Sequence, residues 1–472
     1  MAVRTSMTCL LLLMIFVCVA LILSLQYLSN STSRMTFSEK RKHRSAAMFD
    51  NNFTFWEERG NLTLPAAVFN TTYTAKIVHK EESTKTNLVT KLKATQTKSS
   101  KPLHGGEAET AMPVLYKKSF RKLPQWDFED VYNLDAPPRQ MTCAQSLRNS
   151  KDESFKKAFL PNIRLYLHKD NINMSEWNRL SHFNNPFGFM EYSYDDVMAS
   201  VKLIPKPQEP LLLPKPGSNG CVHCAVVGTA GILNGSKMGK EIDSHDYVFR
   251  MNGAILKGYE EDVGNKTSVY VHTAHSITTS GYLFKKYGYT SVPNDEGIKF
   301  VMIPEGMRDF NWLYGLLKGE RIPSGSYKNS RPRTYYAGQY NETRFYVLHQ
   351  DFLRYVRNRF LKSKNLNGTY WAIVRPTNGA FTLFLALHTC DTVSAYGFMT
   401  EDYKKYSNYY FERHLKTNVI FFANHDYILE MKTWKKLHDS KILKLYQRTN
   451  STAEKEAPKP PLTHKEKGRP AF

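Results

Sequence analysis

No Asp-x-Asp occurs anywhere in the chain, and Asp195-Asp196 is adjacent instead of spaced. Transfer chemistry built on a bound divalent cation ordinarily shows clustered oxygen ligands, so the sequence disfavours that class. The fingerprint G-x-G-x-x-G is missing too. The nearest glycines run Gly228, Gly231, Gly235, which leaves either a different nucleotide-binding turn or an ordinary α/β turn. Cysteine is scarce, with six in 472 residues. The single Cys-x-x-Cys, Cys221-Val222-His223-Cys224, has no second pair to complete a four-ligand zinc site. It also precedes a strand-like run, whereas a thioredoxin-like redox pair follows one into a helix. Disulfides to partners elsewhere are the remaining reading, and Cys143, Cys221, Cys224 and Cys390 allow three pairings. Acidic residues are the last shortage: 65 Lys+Arg against 43 Asp+Glu leave a net charge of +22. Such a balance attracts nucleic acid, anionic membrane or a negatively charged small substrate. Much of it lies in a polar N-terminal stretch, so it reads as a solvated stalk with a basic catalytic face, and no nucleic-acid partner is expected.

What is present begins with Met7 to Leu25, an almost unbroken apolar run. It matches the ~20 residues that span a bilayer, exceeds a signal-peptide core and lacks a clear cleavage site after it. The expectation is a cytoplasmic tail at 1–6 and an uncleaved transmembrane signal-anchor at 7–28. Arg4 before the run and Arg34, Lys40, Arg41, Lys42 and Arg44 after it oppose a lumenal C-terminus by the positive-inside rule. Two signals outweigh that rule. Asn-x-Ser/Thr sequons begin at Asn30, Asn52, Asn61, Asn70, Asn173, Asn234, Asn265, Asn341, Asn367 and Asn450. Cys9 and Cys18 lie inside the apolar run, leaving an even number of cysteines beyond it, as disulfides in an oxidising compartment require.

Residues 29–124 are rich in Ser, Thr, Asn and Lys and carry no sustained apolar period, so burial cannot offset their ordering entropy; they read as a disordered stem. A Pro/Lys-rich flexible tail is expected at 449–472. Between them, 125–448 reads as one α/β domain. Ala225 to Gly228 is strand-like, Gly228 to Gly235 a tight turn, Ser236 to Ile242 a helix and Tyr247 to Met251 a second strand, the grammar of a nucleotide-binding unit. Phe300 to Pro304, Val393 to Phe398 and Asn418 to Phe422 add strand candidates. Asp351 to Lys362 has the apolar spacing of a core-facing helix. His425 precedes a helix bearing Tyr427, Met431 and Trp434 on one face. An imidazole at the positive end of a helix dipole tends to stay neutral, which makes His425 the most attractive acid/base candidate, ahead of His245 and His275. Glu430 has the wrong spacing to share a helix face with His425, so a His/Glu metal pair is not expected.

These segments resemble the animal sialyltransferases. Cys224 to Val271, with CAVVG, ILNGS, GKEIDSHDYVFRMNGA and DVGNKTS, is similar to the family's large sialylmotif. RPTNGAFTLFLALHTCDTVSAYGF is similar to the small motif, Tyr409-Tyr410-Phe411-Glu412 to the third, and His425-x4-Glu430 to the very small motif. GILNGS, GYEEDVG, DFLRYVRNRFL and VSAYGF lean towards the subgroup that adds sialic acid in α-2,6 linkage to α-N-acetylgalactosamine of mucin-type O-glycans. The resemblance covers roughly Trp126 to Arg448.

The resemblance implies a single GT-A-like variant (Rossmann-like) domain with a central, mostly parallel sheet, preceded by a transmembrane helix and a disordered stem, as a type II Golgi membrane protein with a lumenal catalytic domain. It implies CMP-sialic acid as co-substrate, an O-glycosylated protein acceptor, no cofactor and no metal, and leaves the oligomeric state open. Donor-binding positions would be Thr229, Asn252, Thr273, Thr377, Asn378, Gly379 and Tyr409, although relatives often carry Asn at Thr229 and Thr at Asn378. His425 falls on the family's catalytic base. It would take the proton of the acceptor 6-hydroxyl as that oxygen displaces cytidine monophosphate with inversion. The same resemblance pairs Cys224 with Cys390 and leaves Cys143 for Cys221. An inactive glycan-binding protein, or transfer to galactose or a glycolipid, are the competing readings.

Overall fold

Seven short runs, all but the last largely buried and rich in β-branched or aromatic residues, form strands: β1 (His223–Val227), β2 (Tyr247–Met251), β3 (Val269–His272), β4 (Lys299–Met302), β5 (Phe345–Val347), β6 (Thr392–Tyr396) and β7 (Lys444–Leu445). They make one sheet in the order β5-β4-β3-β2-β1-β6-β7, and every neighbouring pair is parallel. The computed structural model describes residues 109–139 and 142–448.

A parallel sheet buries both faces, and the alternation of side chains shows it doing so. Val226, Phe249, Met251 and Ala395 belong to the larger core, which also takes in most of the helix Asn378–Thr389. Ala225, Val227, Val248 and Tyr396 point into a second core with Ile242, Val263, Tyr410 and Phe411. Asn378–Thr389 is apolar all round and buried from Ala380 onward, as its place over β1, β2, β3 and β6 demands. The chain leaves β1 towards β2 and later returns to β6 on the other side. That reversal between β1 and β6 opens a crevice beyond their carboxyl ends, where open α/β sheets bind ligands.

Cys143 is bonded to Cys221, and Cys224 to Cys390. The Cys-x-x-Cys therefore splits between two cross-links. Cys224 lies in β1, and Cys390 follows the last residue of Asn378–Thr389, so this bond ties helix to sheet at the end opposite the crevice.

One element of the expected fold is corrected: among the described residues no transmembrane helix precedes the α/β domain. Among the described residues no helix is long and apolar enough to cross a membrane. The span read at 7–28, the tail at 1–6, the first part of the stem and the segment 449–472 all lie outside the described residues. The end of the segment read as stem is also different. Met112 N donates to Asn178 Oδ1 (2.7 Å), Lys117 pairs with Glu191 (2.9 Å), and Leu123 is buried with Trp371 and Val374. Residues 109–124 thus belong to the folded unit.

Candidate active site

The crevice owes its shape to glycine. A Cβ on Gly228 would stand 2.5 Å from Gly397 O, and Gly397 itself has φ +68°, so the ends of β1 and β6 meet only because both residues lack side chains. A Cβ on Gly231 would stand 2.0 Å from Ser407 O. That contact lays the turn after β1 along the third motif, where Ala230 bridges Tyr409 and Tyr410 N donates to Thr229 O (3.1 Å). Gly231→Ala is expected to cost roughly 1–3 kcal/mol, as overpacking does. It should also open this seam, read as a lower melting temperature.

The expected donor-site residues converge on this edge. Thr229 follows β1 and Asn252 follows β2, the latter with φ +53°. Asn378 Nδ2 donates to Asn252 Oδ1 at 3.0 Å, and Tyr270 OH donates to Asn252 O. Gly379 faces Met251 Sδ and Phe398 across ordinary contact distances. Thr273 follows β3, but its hydroxyl is buried and accepts from Ser276 N (2.9 Å), capping the helix Ala274–Leu283. Tyr409 stacks on Phe411 (4.9 Å between centroids) and meets the edge of Phe284 at 5.2 Å. Burial, then the nearby Glu412 carboxylate, push its phenol up, so it stays a hydrogen-bond donor at neutral pH.

Thr377 caps Asn378–Thr389 by accepting from Ala380 N at 3.1 Å. It is itself held from behind, because its backbone N and its Oγ1 both donate to Glu430, each at 2.7 Å. Burial pushes Glu430 up to about 7 despite those bonds. Glu430 projects from the helix Tyr427–Asp439, whose cap is Asp426 accepting from Leu429 N at 3.0 Å. The interval between His425 and Glu430 therefore places one residue at the helix entrance and the other on the Thr377 turn.

His425 is half-buried just before that cap. Its Nδ1 lies 2.8 Å from Arg375 O. A carbonyl only accepts, so Nδ1 carries the proton and Nε2 holds the lone pair, which Asn424 Nδ2 approaches at 3.1 Å. Burial, then the Arg375 guanidinium, push its pKa down to about 4. The ring is neutral at physiological pH with one nitrogen available as a base. Next to it, Glu305 accepts from Arg375 Nε (3.0 Å) and Nη2 (3.2 Å) and from Arg308 Nη2 (3.2 Å). Burial works against ionisation of Glu305, but the two guanidinium groups outweigh it and hold the carboxyl at about 2. Among the described residues no group of three or more His, Cys, Asp or Glu side chains is placed to hold a metal ion.

Residues 166–442 match the family model described as glycosyltransferase family 29 (sialyltransferase). The chain belongs to that family. It is 44% identical over 383 residues to alpha-N-acetylgalactosaminide alpha-2,6-sialyltransferase 1 of Gallus gallus, an alignment covering 79% of this chain and 67% of that protein. With the Homo sapiens protein of the same name the identity is 46% over 341 residues, 71% of this chain and 57% of the relative. With alpha-N-acetylgalactosaminide alpha-2,6-sialyltransferase 2 of Mus musculus it is 42% over 305 residues, 64% and 82%. The chain thus spans between about half and two thirds of the length of the first two relatives.

Glu305 and Arg375 were not singled out by sequence reasoning as members of this constellation. They are seventy positions apart, and only a turn after β4 meeting the turn before Asn378–Thr389 joins them. His275, set aside earlier, stands in the same charged surroundings: burial, then Arg308, push it down to about 4. Arg375 lies within the RPTNG segment, so the motif marked the place, although nothing marked its carboxylate partner.

Proposed function

We propose that the chain transfers sialic acid from CMP-sialic acid to the 6-hydroxyl of N-acetylgalactosamine on O-glycosylated proteins, with inversion and without a metal, and that His425 is the general base. One observation carries the reading: an imidazole with its proton held on Nδ1 and its lone pair on Nε2, at the entrance of a helix that also clamps the Thr377–Gly379 turn. An acceptor hydroxyl taking the place of Asn424 Nδ2 would donate to Nε2, the arrangement proton removal needs. Thr229, Asn252, Asn378, Gly379 and Tyr409 would hold the nucleotide at the β1/β6 edge, and Thr273 would shape that edge as a helix cap. The leaving phosphate would be met by hydroxyls, backbone N–H groups and the N-terminus of Asn378–Thr389. The subgroup names of the relatives support the acceptor and linkage. The two disulfides support residence in an oxidising compartment, for which the Golgi lumen is proposed.

The test is an acceptor panel with the purified full chain and CMP-sialic acid: a glycopeptide bearing α-N-acetylgalactosamine, galactose-terminated glycans and a glycolipid, followed by linkage analysis. The glycopeptide should be sialylated at O6. Exclusive transfer to galactose would overturn the acceptor assignment. Absence of both transfer and donor hydrolysis would overturn the enzyme.

A further inference from the structure

The turn that orients His425 is held from both sides by carboxylates, and only one of them belongs to a sialyltransferase motif. Arg375 meets the histidine segment twice through its backbone: its N donates to Asn424 O at 2.9 Å, and its O accepts from His425 Nδ1 at 2.8 Å. Those two bonds fix the ring plane and the tautomer together. The position of that backbone depends on what holds the side chain and the following residues. Two positions later Glu430 holds Thr377. At Arg375 itself the guanidinium fork is gripped by both oxygens of Glu305, a bidentate geometry that fixes direction as well as distance. Arg375 Nη1 also donates to Ile373 O at 3.3 Å.

Glu305 is well placed for this task. It lies in the short turn after β4, close to where Ile303 N is tied to His272 O at 2.8 Å, so the sheet fixes the start of that turn. Its carboxylate is nearly sealed from solvent and also accepts from Arg308. A carboxylate so buried is worth its desolvation only when its geometry is fully used.

We infer that Glu305 is a positioning residue for His425, acting through Arg375: it holds the carbonyl that keeps the proton on Nδ1 and the lone pair on Nε2. The inference rests on the reading of His425 as the base. The charged and titratable groups around the imidazole are Arg375 and Glu305 from the two turns, Arg308 from the helix Met307–Lys318, His275 from the helix after β3, and Asp426, Tyr427 and Glu430 from the cap and first turn of the helix that follows it. Removing the Glu305 charge takes the carboxylate fork from Arg375 and leaves Arg308 with Asp309 alone (3.8 Å), so the Arg375 carbonyl loses its support from the side chain and is held only through the backbone.

Glu305→Ala, Glu305→Gln and Glu305→Asp in the full chain test it, with His425→Ala in parallel. Glu305→Ala and Glu305→Gln should lower kcat by about 10- to 100-fold, a part of the ~10²–10⁴ that a general base supplies. CMP affinity and donor KM should stay within about threefold, and Glu305→Asp should recover part of kcat. In histidine-labelled protein, nitrogen NMR should show the His425 ring leaving the single Nδ1–H tautomer in Glu305→Ala. Unchanged kcat in Glu305→Ala would overturn the inference. So would a kcat loss matched by an equal loss of CMP affinity, or one with the tautomer intact. Full transfer by His425→Ala would instead overturn the reading of the base.

Discussion

His425→Ala is expected to lower sialyl transfer by about 10²- to 10⁴-fold at saturating donor and acceptor, the range that a positioned general base supplies. CMP affinity should stay within about twofold. The asymmetry follows from the layout. The proposed nucleotide contacts sit at the ends of β1 and β2 and at the start of Asn378–Thr389, and none of their hydrogen bonds runs through the imidazole. The pH profile supplies a second reading of the same group. A histidine pushed down to about 4 keeps its lone pair well below the usual 6.5. Between pH 7 and 5, kcat/KM for the wild type should therefore stay nearly flat instead of halving near 6.5. The negative charges of a bound donor favour the imidazolium, so the acidic limb of kcat should lie at higher pH than that of kcat/KM. Equal transfer rates in His425→Ala and wild type would remove His425 from the chemistry, and a free-enzyme limb near 6.5 would contradict its desolvated setting.

How much of this was legible beforehand depended on the range of the forces involved. The parallel sheet was visible because β1, β2, β4 and β6 are short apolar runs bounded by turns, which period and punctuation report directly. The helix expected at Ser236 to Ile242 begins later, at Gly239–Ser244. The cause is a distant one. Asp262 accepts from Gly235 N (2.8 Å) and Lys237 N (3.0 Å), and Lys237 takes φ +56°, so those residues form a turn around a carboxylate from the next connection. Asn418 to Phe422 reads as a strand by composition, yet no sheet edge receives it, and Ile420, Phe421 and Phe422 are exposed. β-branched and aromatic residues report a fit to a half-buried surface, and here that surface is missing.

The site divides along the same line. His425, Thr377 and the glycines around Thr229 lie in short motifs and were named. The residues that decide which nitrogen of His425 bears the proton were not, because their alignment arises only when β4 and the connection before Asn378–Thr389 come together. Local chemistry leaves a local trace, whereas positioning is spread over the fold.

Removing the Cys224–Cys390 bond as Cys224→Ala/Cys390→Ala is expected to lower the melting temperature by on the order of 10 °C, with kcat of the surviving folded enzyme nearly unchanged. The bond closes a loop of 166 residues, for which chain entropy gives about 5 kcal/mol as an upper figure. Cys143–Cys221 closes 78 and falls only about 0.7 kcal/mol lower by the same relation. Loop length hardly separates the two, so location must. Both Cys224 and Cys390 are fully buried, and their bond pins the end of Asn378–Thr389 to β1, an interior strand of the sheet. The helix has 12 residues, so its other end, with Thr377 and Asn378, is roughly 18 Å away. There the Glu430 clamp and the Asn378–Asn252 bond hold the turn independently. The bond thus stabilises the core without shaping the crevice, and thermal melts beside kcat at 20 °C separate the two effects. A fall in kcat matching the loss of stability would show that the helix cannot keep its catalytic end in place once its far end is released.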